Sequence, residues 1–87
     1  MVYYITILIM FLGNDNEEIY RYVQHKEQYL SYSECGYHLH SKLMQEYIQK
    51  SLEKHLCNKF KGNKPTYKIV EQGCMTRNTY IEYNNSL

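Results

Sequence analysis

The feature that most constrains the fold is the apolar run over residues 1–12, which Gly13 ends. The run contains no charged residue and is rich in β-branched and aromatic side chains. It carries neither a basic start nor a small-residue cleavage site, and it is too short to cross a bilayer. Such a run is typical of a buried strand. We therefore predict an interior strand over residues 1–12.

The next segment is predicted to be helical. Asn14 followed by Glu17 is a plausible helix start. The apolar residues that then recur at helical spacing are Ile19, Tyr22 and Val23. This spacing predicts an amphipathic helix over residues 15–27.

Two strands are predicted to follow. Residues 28–34 alternate between polar and apolar side chains, Cys35 and Gly36 form a turn, and Tyr37 to Met44 alternates again. Alternation with a period of two favours strands. The sequence thus predicts a short hairpin here.

The second half restores a helical period through Ile48, Leu52 and Leu56, which predicts a helix over residues 46–60. Residues 61–65 read as a loop, 66–71 as a strand, and 76–84 as either a short helix or another strand. The order β-α-β-β-α-β predicts one α+β domain over residues 1–87, a split βαβ antiparallel sheet with two helices on one face. The other face is expected to stay open and to carry any chemistry.

Alternation places His38 and His40 on that open face, because side chains two apart on a strand point the same way. Glu34 lies just before the turn, where its carboxylate could reach the same ion. Two imidazoles and one carboxylate can bind a divalent cation and leave coordination positions free. The alternative is a pair of exposed histidines on a sheet.

Charge is unevenly distributed along the chain. The formal net charge is only +1, which gives no general case for nucleic-acid binding. Between residues 41 and 68, seven lysines and two glutamates sum to +5, which leaves −4 for the rest. This basic segment suits contact with a phosphate backbone, and equally a solvated helix face followed by a lysine-rich loop.

The acidic residue on one predicted strand and the His38-Leu39-His40 pattern on its neighbour resemble the HUH endonuclease domains of viral and plasmid rolling-circle replication initiators. The order of the predicted elements resembles that family too, including a tyrosine, here Tyr80, on a last short element. The resemblance implies Mg²⁺ or Mn²⁺ held by Glu34, His38 and His40.

The resemblance further implies that Tyr80 attacks single-stranded DNA, forming a 5′-phosphotyrosine bond and releasing a 3′-hydroxyl. Lys42 and Lys68 would hold flanking phosphates, and exposed tyrosines would stack on unpaired bases. Tyr83 is the alternative nucleophile.

Two other functions fit the residues. A zinc-stabilised nucleic-acid-binding module could use Cys35, His38 and His40 with His55 and Cys57. A small non-enzymatic interaction or inhibitor protein, encoded by a virus or phage and binding a host or viral protein, would need no motif. The odd number of cysteines, three, favours a reducing, intracellular compartment such as the host cytoplasm or nucleus.

Overall fold

The computed structural model describes residues 1–13, 15–59 and 66–87, except the side chain of Lys59. The strands are β1 (Tyr4–Leu12), β2 (Glu18–Gln24) and β3 (Tyr67–Met75), and the helices are α1 (Tyr32–Leu39), α2 (Lys42–Lys59) and α3 (Arg77–Asn85). The predicted α+β class is confirmed. The predicted order β-α-β-β-α-β is wrong, because the elements follow the order β-β-α-α-β-α. The predicted cap at Asn14, the helix end at Phe60 and the loop over residues 61–65 lie outside the described residues.

The predicted interior strand is confirmed as β1. It lies at the centre of an antiparallel sheet with the order β2-β1-β3. Its alternate residues Ile5, Ile7, Ile9 and Phe11 are at most 4% exposed and form one side of the core. On the opposite face most β1 side chains, such as Leu8, are only half-buried. The sheet therefore has one covered face, and β1 alternates accordingly.

The predicted helix over residues 15–27 is wrong, because this segment forms β2 and pairs with β1. The chain reverses after Gly13, whose N–H donates to the carbonyl of Glu17 at 2.8 Å, and Asn16 adopts a positive φ of 58°. Asparagine tolerates this left-handed conformation better than most residues. Ile19 and Val23 then pack on the core from the edge strand. Pairing with β1 satisfies the backbone and outweighs the weak helical spacing.

The two strands predicted over residues 28–34 and 37–44 are also wrong. Tyr29 makes only an isolated bridge with Tyr3, and the chain then enters α1. Ser31 caps this helix, since its hydroxyl accepts the N–H of Glu34 at 3.0 Å. Helical spacing buries Cys35 and Leu39 on the same side. The alternation in sequence is therefore coincidental.

The predicted helix that starts at Glu46 is confirmed within α2, which begins earlier because Ser41 caps it through the N–H of Met44. Ile48, Leu52 and Leu56 pack with α1 and β1 in one core cluster. The predicted strand over residues 66–71 is confirmed as part of β3, and the last element is the helix α3.

Helix α3 lies against the free edge of β2. The Asn84 side-chain amide accepts the N–H of Tyr22 at 2.9 Å and donates to the carbonyl of Tyr22 at 3.1 Å. This pair of bonds supplies at Tyr22 what a neighbouring strand would supply, and it blocks that point of the edge from pairing with another chain.

A disulfide joins Cys35 of α1 to Cys74 of β3, and Cys57 is free. The odd cysteine count does not predict this bond. Only the fold brings together two residues that are 39 positions apart. In the part of the chain that the structure describes, no helix is both long and apolar enough to cross a membrane.

Candidate functional site

The three predicted metal ligands do not lie on strands. Glu34 is exposed in the first turn of α1, and His38 is exposed in its last turn, stacked on the ring of Tyr29 with 5.0 Å between centroids. His40 closes the helix by donating its backbone N–H to the carbonyl of Gly36 at 3.2 Å. The prediction that His38 and His40 share a strand face is wrong, because a helix with a serine cap replaces the strand.

The residues present do not fit the metal sites that the sequence suggests. Within residues 1–13, 15–59 and 66–87, no group of three or more His, Cys, Asp or Glu side chains is arranged to hold a metal ion. Cys35 is bonded to Cys74 and offers no thiolate to a zinc module. We therefore derive no chemical step from a metal ion at Glu34, His38 and His40.

The remaining predicted residues lie on three different elements. Lys42 is the exposed first residue of α2, and Lys68 is exposed on β3 opposite Met10. Tyr80 is half-buried on α3, with the guanidinium of Arg77 at 5.2 Å from its ring centroid. Of the residues predicted for the nuclease site, Tyr80 alone lines one of the clefts between β2, α2 and α3, and His55, predicted as a zinc ligand, lines the same cleft.

A groove runs between β2 and α2 and reaches α3 at one end. It consists of three adjoining clefts of about 270, 300 and 520 Å³. The first lies between the end of β2 and α2, the second between β2, α2 and α3, and the third along the outer side of α2. His55 lines all three clefts, so the first two, which lie between β2 and α2, adjoin the third, which is lined by α2 residues alone. We call the three clefts together the β2–α2 groove.

The groove has a basic lining. Its charged and imidazole-bearing side chains are Arg21, Lys26, Lys50, Lys54, His25 and His55. Among the described residues that line the three clefts there is no Asp or Glu. Glu27 lies near one end, with its carboxylate 3.8 Å from Nε2 of His25, but does not line a cleft. The lining therefore carries about four positive charges in a chain of net charge +1.

The acidic side chains of helix α2 do not line the three clefts. On one side Gln45 donates to Gln72 of β3 at 2.8 Å, and Glu53 interacts with Tyr67 of β3. Burial, followed by the nearby carboxylate of Glu53, raises the pKa of the Tyr67 phenol. Lys50 and Lys54 line the groove instead. Neither Glu46 nor Glu53 lines a cleft, although Glu46 lies one helical turn before Lys50 on the exposed side of α2.

The floor of the groove is apolar and part of its wall is aromatic. Buried side chains that line the first two clefts include Ile7, Leu52 and Leu56. Tyr47 stands at the first cleft with its ring 5.1 Å from that of His25, and Tyr80 lines the second. A basic rim, an apolar floor and a partly aromatic wall suit an anionic ligand that also has flat apolar faces.

Sequence reasoning missed most of this groove, although part of it carried a signal. Lys50 and Lys54 lie one helical turn apart and belong to the basic segment noted above. Arg21 and Lys26 fall in a segment predicted to be helical, so their place opposite α2 was not foreseeable. Ser51 and His55 lie four residues apart, and each precedes a leucine of the helical apolar pattern. This spacing places both residues on the side of α2 next to the core.

Comparisons with known proteins add no further constraint. The chain matches no protein-family model, no curated protein and no solved structure. The HUH resemblance rests on the sequence pattern alone.

Proposed function

We propose that this chain is a non-enzymatic protein that binds single-stranded DNA along the β2–α2 groove. The observation that carries the proposal is the composition of the groove, which has four cationic side chains, no lining carboxylate among the described residues, and an apolar floor edged by tyrosines. Each part of this surface matches one part of a single strand.

The basic rim matches the phosphates of a single strand. Lysine and arginine side chains that neutralise phosphates release condensed counterions, and this supplies most of the sequence-independent affinity for nucleic acids. Bulk charge does not provide this attraction here, since the net charge is +1. The attraction must come from the local concentration of Arg21, Lys26, Lys50 and Lys54.

The apolar floor and the tyrosines beside it match the unpaired bases of a single strand. The faces of the bases in a duplex are already stacked, whereas a single strand offers them to aromatic side chains. Tyr47 is 51% exposed at the first cleft, and Tyr80 is half-buried at the second. These rings favour single-stranded over double-stranded DNA.

The first test replaces charges inside the groove and outside it. For a single strand, the logarithm of the affinity falls with the logarithm of salt concentration at about −0.7 per phosphate contact. Four contacts give a slope of about −3, and the double variant Lys50→Gln/Lys54→Gln is expected to reduce it to about −1.4. Fluorescence anisotropy of a labelled thymidine oligonucleotide, titrated at several salt concentrations, measures the slope.

The matched control is Lys42→Gln/Lys68→Gln, which removes the same charge from residues outside the groove. We expect this control to keep most of the wild-type slope. Equal losses in both double variants would mean that the DNA does not lie in the groove. Absence of binding by the wild type at low salt would contradict the proposal and favour the alternative, a partner protein.

Strand cleavage by Tyr80 is a second candidate, favoured by the position of Tyr80 in the groove with Arg21 and His55. In that reaction the Tyr80 hydroxyl oxygen would form a bond to phosphorus as a phosphorus–oxygen bond to the sugar breaks, leaving a free hydroxyl on the other fragment. Nearby cations would offset the growing negative charge.

The two candidates differ in their products. If the chain only binds, a labelled oligonucleotide stays intact and forms no covalent adduct, with or without Mg²⁺ or Mn²⁺. A denaturing gel measures both products. Cleavage and an adduct that Tyr80→Phe abolishes, and Tyr83→Phe retains, would replace the binding proposal with the enzymatic one. Tyr83 is a suitable control because its ring contacts that of Tyr22, and it does not line the groove.

A further inference from the structure

We infer that the first cleft of the groove is a pocket for one unpaired base, with the phosphates on either side of that base held outside by Lys50 and Lys54. The inference rests on the proposed function and specifies which part of the strand the cleft takes. The side chains that carry it are Tyr47, His25, Ser51, Val23, Ile7 and Leu52.

The size and floor of the cleft suit a flat ring. At about 270 Å³ it is slightly smaller than the pockets that bury drug-sized ligands, about 300–1,000 Å³. Ile7 and Leu52 at its floor are 4% and 3% exposed, so they are fixed by the core and offer an apolar surface. A nucleobase has two apolar faces, one of which can lie on this floor, and it fits within this volume.

The rings at the cleft provide stacking surface. Tyr47 and His25 meet edge to face, with 5.1 Å between centroids and 69° between planes. Because half of Tyr47 remains exposed, a second ring can still stack on it. Tyr47 is therefore anchored by one contact and free for another.

Polar groups are placed for the edge of a base and for its backbone. Ser51 and His55 line the first cleft and also the third, which contains Lys50 and Lys54. A base in the first cleft would thus have its phosphates beside the third, where the two lysines lie.

The experiment compares two strands with the same phosphates. One is a thymidine oligonucleotide of about 12 nucleotides, within the site sizes known for small single-strand-binding domains, and the other has the same length but no bases. We expect the wild type to bind the thymidine strand roughly 5- to 150-fold more tightly, the range that one stacked base contributes. Tyr47→Leu should remove most of this preference and leave affinity for the strand without bases unchanged.

A second variant and a control make the test independent of one substitution. Ser51→Leu keeps an exposed helical position but fills the cleft, and it should also reduce the preference for bases. Tyr37→Leu removes a tyrosine that is 78% exposed on α1 and should change nothing. Circular dichroism shows whether each variant is folded.

The outcomes separate the inference from the proposed function. Salt-dependent binding of both strands with equal affinity would overturn the base pocket and leave the groove proposal intact. A preference for bases that survives both Tyr47→Leu and Ser51→Leu would overturn the inference as well, since the stacking would lie elsewhere. Absence of binding to either strand at low salt would overturn both.

Discussion

Loss of the Cys35–Cys74 disulfide is expected to lower the free energy of unfolding by about 2–4 kcal/mol. The bond closes a loop of 39 positions and restricts the unfolded chain, and the chain-entropy model gives about 4 kcal/mol for this length. A domain of 87 residues has little stability to spare, so the melting temperature should fall by roughly 10–25 °C. Urea unfolding of Cys35→Ala/Cys74→Ala, and of the wild type with and without reductant, measures the effect.

The control for this prediction is Cys57→Ala, because Cys57 is the free thiol among the described residues. This variant should keep its sensitivity to reductant, whereas the double variant should lose it. Without reductant, alkylation of the unfolded wild type should modify one thiol, and with reductant three. Three reactive thiols without reductant would show that the disulfide does not form. Unchanged stability of the double variant would show that the disulfide does not stabilise the fold.

Leu56→Ala is expected to lower the free energy of unfolding by about 2–5 kcal/mol, the usual range for removing a buried leucine side chain. Leu56 is 1% exposed and belongs to the cluster that joins α2 to β1. The substitution removes apolar contacts and leaves a cavity that a close-packed core cannot easily fill. Urea unfolding monitored by circular dichroism gives the value.

Leu43→Ala on the same helix is the matched control. Leu43 is 80% exposed, so its truncation should change stability by no more than about 0.5 kcal/mol. Similar effects of the two substitutions would mean that α2 packs through a different face.

The elements that could be predicted correctly are those with a strong and unambiguous pattern. β1 has a long β-branched run, and α2 repeats Ile48, Leu52 and Leu56 at helical spacing. The wrong predictions fall on the seven-residue β2 and the eight-residue α1. In such short segments a few residues match either period, and tertiary contacts decide the outcome.

A better prediction of α1 was within reach of the sequence. Ser31 followed by Glu34 is the pattern of a capped helix N-terminus, and Cys35 and Leu39 have the spacing of one helical face. The pattern His38-Leu39-His40 looked like a strand because the two histidines are two residues apart. A helix also buries Leu39 and exposes both histidines, so the pattern fits a helix as well as it fits a strand.

The sequence by itself determined the α+β class, the central strand and the basic character of α2, because these depend on local periodicity and composition. Tertiary structure alone decided the groove and the disulfide. Arg21 and Lys26 on one side of the groove are separated from Lys50 and Lys54 by more than twenty residues, and only the packing of α2 beside β2 brings them together. Local periodicity holds no information about which strand a helix will border, since that choice depends on the burial of the whole core.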